Sequence, residues 1–245
     1  MRNHCQDKII STGGECGMLV TDDEEIFKKC WAYKDHGKSY DAVYHKEHAP
    51  GFRWLHESFG TNWRMTEIQS VIGRLQLQKL DKRVEARHTN AARFNEAFAA
   101  LPALRLTLPP AEIYHSYYKY YMFVRPEMLK PDWSRDRIME GVNAAGIPCY
   151  SGSCSEIYLE KAFDVFRGQG REELDSRLYP LGHKRGNDGK GCGNDDRVPG
   201  PENRLPVAKE LGETSLMLLV HPTLTAENID DTVRVVREVL KRAAR

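Results

Sequence analysis

The stretch of sequence that decides the fold lies near the start of the chain and reads HCQDKIISTGGECGMLVT, residues 4–21. Lys8 follows a polar tetrapeptide and precedes the apolar pair Ile9 and Ile10. Gly13 and Gly14 then interrupt the run, and residues 18–20 are apolar again. This pattern predicts two short extended segments within residues 9–20, joined by a glycine turn. The sequence thus presents one lysine amine beside a tight turn.

A second informative block spans residues 60–80 and reads GTNWRMTEIQSVIGRLQLQKL. Thr66 with Gln69 three residues later fits a capping box, the signature of a helix start. Apolar residues at helical spacing follow it, which predicts a helix. Arg64, just before this start, is expected to form a pair with an acid under the same loop.

Both blocks resemble segments of the DegT/StrS-type sugar aminotransferase family. The stretch around Lys8 is similar to the family's pattern Ser-Phe-x-x-x-Lys followed by Gly-Glu-Gly-Gly. Residues 60–69 are similar to its motif Gly-x-Asn-x-Arg-Met-x-Glu-x-Gln. Residues 115–124 resemble the strand that begins the family's small domain, and residues 205–225 resemble its last strand and the entry into the terminal helix. Cys16 departs from the family pattern, because a glycine is expected there.

The resemblance implies an α/β protein with part of a type I fold of enzymes that depend on pyridoxal 5'-phosphate (PLP). Residues 1–105 would form the C-terminal part of the PLP-binding large domain with interdomain helices, and residues 106–245 a small α+β domain. The match begins almost at Met1, so we expect the family's N-terminal half to be absent. Residues 164–203 match no family segment, and their Gly, Asn and Asp content predicts a flexible insertion.

The remaining local predictions rest on periodicity and on residues that favour helix or strand termini. Helices are predicted at four places: from an N-cap within residues 21–24 through Trp31, at 84–101, at 135–145 and from Thr225 onward. Strands are predicted at 117–124, 147–149 and 215–220, and a long loop at 36–59. In the last helix, Ile229, Val233, Val236 and Leu240 fall on one face.

The resemblance also implies roles for individual residues. In the family the lysine binds PLP covalently and moves protons during aminotransfer, and Lys8 would take this role; the competing interpretation is a solvated surface lysine. Asn62 lies in a loop that, in the family, reaches across a dimer to the phosphate of the neighbour's cofactor. The alternative for Asn62 is a turn residue that caps the following helix.

Three further residues are candidates for substrate binding. His36 resembles the family's His-Gly at the start of a mobile loop, against the simpler interpretation of a neutral exposed histidine. His115 precedes an aromatic strand that could line a sugar pocket, although packing of the small domain accounts for the aromatics as well. Tyr150 follows a predicted strand where the family's small domain meets the active site.

By resemblance, the function is aminotransfer from an amino acid, glutamate by the family pattern, to a nucleotide-linked keto sugar. The motif match assigns no acid to the pyridine nitrogen of PLP, so we expect this chain to be a truncated, inactive fragment of a homodimeric enzyme. One alternative is a non-catalytic subunit that completes a separately encoded N-terminal half. Another is a standalone binding domain without cofactor.

Composition limits the partners. The chain has 245 residues, of which 40% are hydrophobic and 29% charged, with 36 Lys and Arg against 35 Asp and Glu. This balance argues against nucleic acid or an anionic membrane as a partner recognised through bulk charge. No apolar run approaches the roughly 18 residues of a membrane span. The six cysteines form no Cys-x-x-Cys, so we expect no metal, reduced thiols and a cytoplasmic protein.

Overall fold

The computed structural model describes residues 2–3, 8–51, 53–152, 155–163 and 199–245. The chain is mixed α/β, as predicted, and divides into two compact units, Met1–Ala86 and Arg87–Arg245. The predicted domains at 1–105 and 106–245, and the identity of the first as part of a PLP-binding domain, stay predictions. The predicted insertion at 164–203 lies outside the described residues, except for its last five positions.

In the first unit, β1 (Arg2–Asn3) pairs antiparallel with β2 (Gly17–Met18). The prediction of a first extended segment just after Lys8 is therefore wrong, because residues 8–10 form a bend and the partner strand lies upstream of Lys8. Packing decides this path. A Cβ on Gly13 would lie 3.0 Å from the side chain of Ile72, so the turn sits directly against a helix.

Three helices lie wholly within the first unit: α1 (Glu24–Lys34), α2 (Tyr40–Tyr44) and α3 (Glu67–Gln78). The predicted starts of α1 and α3 are confirmed, because the Asp23 carboxylate accepts a hydrogen bond from the backbone of Ile26 and the capping box at Thr66 is complete. The prediction that 36–59 is only a loop is wrong, since it contains α2. Five residues give too little periodicity to reveal a helix, and ring contacts with α1, such as Trp31–Tyr40 at 5.2 Å, hold it in place.

The boundary between the units falls within α4 (Leu80–Phe98). The second unit contains a four-stranded antiparallel sheet whose spatial order is β3 (Leu104–Leu106), β4 (Tyr120–Val124), β6 (Ser215–Leu218) and β5 (Cys149–Tyr150). The strand predicted from residue 117 begins only at Tyr120, since Tyr117 has a left-handed φ of 43°.

Helices α5 (Arg135–Ala144), α6 (Pro206–Thr214) and α7 (Ala226–Ala243) complete the second unit. Both predicted termini of α5 and the predicted start of α7 are confirmed within one residue, whereas α6 was not predicted. A single core holds this unit together, formed by α4, the sheet, α5 and α7; its fully buried large side chains include Phe94, Phe98, Met122, Ile138, Leu218, Ile229 and Leu240. None of the helices among the described residues has the length and apolar character to cross a membrane.

Candidate active site

Lys8 opens the bend that precedes the glycine turn, and its side chain is half-buried. Ile10 and Thr12, two and four positions further on, are buried. A Cβ on Gly14 would lie 3.2 Å from the Gln69 side chain, and Gln69 also donates to the backbone oxygen of Glu15. The segment that follows Lys8 is thus held against the first turns of α3. A lysine on such a supported bend has a restricted choice of positions for its amine.

Asn62 lies where two segments of the first unit cross. The backbone N–H of Thr61 donates to Tyr33 (2.6 Å), that of His36 donates to Thr61 (2.8 Å), and that of Trp63 donates to Lys34 (3.0 Å). The crossing is close because a Cβ on Gly60 would stand 2.4 Å from the backbone nitrogen of residue 37. Backbone contacts therefore fix the start of the Asn62 loop on the end of α1.

A buried carboxylate lies under this crossing. Asp35 is only 7% exposed, and its Oδ1 accepts hydrogen bonds from His36 Nδ1 (3.0 Å) and Lys38 Nζ (3.4 Å) and pairs with Arg64 Nη1 (3.4 Å). Burial raises the pKa of Asp35, but the hydrogen bonds from His36 and Lys38 and the positive charges of Lys38 and Arg64 bring it below its usual value. The predicted pairing of Arg64 with an acid under this loop is confirmed.

The Asn62 side chain is exposed, and its Oδ1 accepts a hydrogen bond from Arg64 Nε (3.2 Å). The alternative role, capping of the next helix, is wrong, because Thr66 caps α3. His36 has a left-handed φ of 61° and a partly exposed ring that donates to Asp35. The described residues thus bring His36 and Asn62 to one crossing around Asp35.

The other two candidates lie in the second unit. The exposed His115 accepts from the backbone N–H of Tyr117 at Nδ1 (3.2 Å), and its backbone oxygen accepts from His88 Nε2 (2.6 Å). Tyr150 lies on β5 opposite Met217 and is 49% exposed. Their roles in substrate binding stay predictions, as do those of Lys8, His36 and Asn62.

Sequence reasoning missed the residue that organises the crossing. Asp35 stands directly before the predicted His36, between two lysines, and this setting alone is typical of a solvated loop. Its burial depends on residues 60–64, which lie far away in the sequence. The sequence did contain one useful signal. Gly37 and Gly60 lie in two separate motifs, and glycines can indicate that two backbone segments cross closely.

The residues present fit a PLP site in part. The half-buried Lys8 supplies an amine that can bond covalently to an aldehyde. The Oδ1 of Asn62 is occupied by Arg64, which leaves the amide N–H groups as donors suited to a phosphate oxygen. Among the described residues no group of three or more His, Cys, Asp and Glu side chains could hold a metal ion.

Comparison with known proteins identifies the family. The profile described as the DegT/DnrJ/EryC1/StrS aminotransferase family matches residues 5–171. The chain is 48% identical to an aminotransferase of known structure from Psychrobacter cryohalolentis, with a TM-score of 0.75 over 98% of this chain and 55% of that one. It is 25% identical to the Bacillus subtilis spore coat polysaccharide biosynthesis protein SpsC, over 94% of this chain and 51% of SpsC.

A further solved structure shares the fold. Helicobacter pylori PseC, an aminotransferase involved in the biosynthesis of pseudoaminic acid, matches with a TM-score of 0.65 at 19% identity, over 95% of this chain and 50% of PseC. The chain thus spans about half the length of the relatives it matches. The family profile covers more than half of the chain, including Lys8, Asn62, His115 and Tyr150, and the chain therefore belongs to the DegT/DnrJ/EryC1/StrS aminotransferase family.

Proposed function

We propose that this chain supplies the lysine-bearing and C-terminal part of a PLP-dependent aminotransferase that acts on a nucleotide-linked keto sugar, with glutamate as the amino donor. The observation that carries the proposal is Lys8 itself, half-buried on a bend whose glycine turn is packed against α3. The sugar substrate is supported by the relatives, since SpsC is named for polysaccharide biosynthesis and PseC for the biosynthesis of pseudoaminic acid.

The chemistry divides between the cofactor and the protein. When bound, PLP supplies an electron sink for the electrons of the C–H bond that breaks at the substrate carbon. Lys8 Nζ would hold the cofactor covalently and would serve as the base that takes up and returns a proton. The Asn62 amide would donate to a phosphate oxygen of the neighbouring protomer's cofactor, and His36, His115 and Tyr150 would contact the substrate.

The isolated 245-residue chain is proposed to be inactive and to lose PLP on dialysis. In the family the groups that grip the pyridine ring and its phosphate come mainly from the half that precedes the lysine, and one covalent bond from Lys8 gives a weak, reversible attachment. The second candidate function is a non-catalytic subunit that completes a separately encoded N-terminal half. A reading frame directly upstream that encodes this half would favour that candidate.

The test compares the chain alone with the chain co-purified with the N-terminal half of the Psychrobacter relative. After dialysis against buffer, we expect a PLP absorbance band near the visible edge only in the combined preparation. The band should vanish in Lys8→Ala and persist in Lys29→Ala, which alters an exposed lysine on α1.

The outcomes separate the parts of the proposal. A band in the chain alone that Lys8→Ala abolishes would show the isolated chain to be a competent PLP binder. If neither preparation holds a Lys8-dependent band, the assignment of Lys8 as the cofactor lysine fails. Transfer of the amino group from glutamate to a nucleotide-linked keto sugar, followed by mass spectrometry, tests the substrate class.

A further inference from the structure

The contacts around Asp35 form a connected series that ends at Asn62. Asp35 Oδ1 pairs with Arg64 Nη1 at 3.4 Å, and Arg64 Nε donates to Asn62 Oδ1 at 3.2 Å. A guanidinium is planar and rigid, so an anchor at one nitrogen also sets the direction of the others. The orientation of the Arg64 plane is therefore coupled to the buried carboxylate.

The orientation of the Asn62 amide follows from the same chemistry. The two ends of an amide are hard to tell apart by shape, and the hydrogen-bond network decides between them. Arginine offers only donors, so the amide atom facing Arg64 Nε must be the oxygen. The two N–H donors of Asn62 then point away from Arg64, and the side chain is exposed.

Asp35 is held more firmly than the residues it orients. Its side chain is 11% exposed, whereas the side chain of Arg64 is 49% exposed. A buried carboxylate retains its charge only when it is paired and hydrogen-bonded. Two hydrogen bonds, from His36 and Lys38, and the ion pair with Arg64 meet this requirement on one oxygen, and the lowered pKa agrees with a group that stays charged at neutral pH. Asp35 is consequently a fixed negative anchor at the base of an exposed loop.

We infer that Asp35 is a positioning residue, which acts through Arg64 to hold the Asn62 amide with its N–H groups directed at an oxyanion ligand. The inference deepens the proposed function and rests on its assignment of Asn62 to a phosphate group. Asp35 itself does not contact the ligand. Its effect is to reduce the number of orientations that the exposed amide must lose when the phosphate binds.

The matched comparison is Asp35→Asn against Lys38→Gln. Lys38 donates to the same oxygen of Asp35, whereas the contacts that orient the Asn62 amide pass through Arg64. Loss of Asp35 should release Arg64 and Asn62, whereas loss of the Lys38 charge should leave the Arg64–Asn62 bond in place. A general loosening of the crossing would affect both variants alike.

The experiment is nitrogen-15 NMR on the full chain, with the Arg64 Nε and Asn62 Nδ2 signals identified by their absence in Arg64→Lys and Asn62→Asp. In Asp35→Asn we expect exchange of the Arg64 Nε proton with water to become at least about tenfold faster, as expected when a charge-assisted bond is lost. The Asn62 amide should also become mobile on the ps–ns timescale. Lys38→Gln should change neither signal.

A titration with inorganic phosphate tests whether the Asn62 amide binds an oxyanion. Phosphate should shift the Asn62 Nδ2 signal of the unmodified chain, with an apparent affinity that falls severalfold in Asp35→Asn and stays unchanged in Lys38→Gln. Unchanged Arg64 exchange in Asp35→Asn, equal effects of both variants, or no phosphate shift at Asn62 would each overturn the inference. If Asp35→Asn does not fold, Asp35→Glu decides, because it keeps the charge but displaces the carboxylate from Arg64, so Arg64 Nε exchange should become faster there and stay unchanged in Lys38→Gln.

These outcomes are separable from those of the proposed function. If phosphate binds at Asn62 as described but no preparation retains PLP through Lys8, the aminotransferase assignment fails and the positioning role of Asp35 stands. If Lys8 holds PLP but the Arg64 Nε exchange and the Asn62 Nδ2 signal are unchanged in Asp35→Asn, the inference fails and the proposed function stands.

Discussion

Among the described residues, Glu156 is a buried carboxylate whose pKa is strongly lowered by its neighbours. It is 8% exposed and accepts hydrogen bonds from Arg204 Nε (2.7 Å) and from the Tyr158 hydroxyl (2.7 Å), with a second contact from Arg204 Nη2. The bonds from Arg204 lower the pKa of Glu156 to about 2, although burial by itself would raise it. The cluster joins two parts of the chain that are 48 positions apart.

This depressed pKa predicts a pH dependence of stability. The folded value of about 2 lies below the usual value of 4.5, so the contribution of Glu156 is complete above about pH 4.5 and disappears as the pH falls toward 2. In denaturant melts, the unmodified chain should exceed Glu156→Gln in stability at neutral pH, and the difference should shrink in acid. Glu213→Gln, which removes an exposed partner of Arg204, should have a smaller effect. A difference between the unmodified chain and Glu156→Gln that does not vary with pH would contradict this.

Gly37 tests the close crossing under Asn62. It has a φ of 83°, and a Cβ there would lie 1.8 Å from the backbone oxygen of Ser58. We expect Gly37→Ala to destabilise the first unit by more than about 2 kcal/mol, since a backbone clash adds to the left-handed penalty. Gly51→Ala is the matched control: its φ is 108° but no atom lies within 4 Å of a Cβ, so only the conformational cost of about 1–2 kcal/mol applies. Equal losses in thermal melts would show that the crossing is not tight.

At the scale of elements, α7 shows how a regular pattern becomes a packed face. Ile229, Val236 and Leu240 are at most 2% exposed, whereas Val233 is only partly buried at the edge of the same face. The helix begins at a complete capping box on Thr225 and carries Lys241 and Arg242 in its last turn, where their charges favour the helix dipole. Its boundaries therefore depend on local chemistry and its position on burial.

Substitution by alanine measures how much each side chain on this face of α7 contributes to stability. Leu240→Ala removes a fully buried side chain and should cost about 2–5 kcal/mol of unfolding free energy, because a cavity remains in the core. Val233→Ala on the same helix should cost clearly less, since its side chain is partly in contact with solvent. Urea melts of both variants provide the comparison. If the two costs are equal, the packing of α7 differs from that described.

At the scale of the whole molecule, the first unit exposes a large amount of apolar surface. Met18, Leu19 and Val20 are 50%, 46% and 79% exposed, so the residues after the glycine turn form an uncovered apolar edge. On α3, Ile68, Val71 and Leu75 repeat at helical spacing and are also exposed. Uncovered apolar surface of this kind favours association.

We therefore expect the isolated chain to form oligomers or aggregates. Light scattering across a wide concentration range should show a mass that rises with concentration, and Val20→Lys should reduce it by placing a charge on the apolar edge. Val207→Lys, which alters a valine that is 68% exposed on α6 in the second unit, is the control. A uniform monomer at all concentrations would contradict the expectation.

The sequence by itself determined the family, the mixed α/β class and the starts of α1, α3, α5 and α7. Helix termini are set by residues that bond or turn within a few positions of themselves, so they can be predicted without knowing any distant contact. The examples are the N-caps Asp23, Thr66 and Thr225 and the glycine after α5, Gly146. The pairing of Arg64 with a carboxylate under its loop was also predicted. Lys8 was identified from its surrounding motif alone.

Tertiary structure decided what depends on distant residues. The first extended segment after Lys8 is a bend because α3 occupies its flank, and α2 exists because α1 supports its rings. Asp35 is buried, and Asn62 oriented, only because residues 60–64 return to the end of α1. The burial of the Asp35 charge cannot be predicted from the residues around it. The interaction that stabilises it forms only when residues 60–64, some thirty positions away, come into contact with the end of α1.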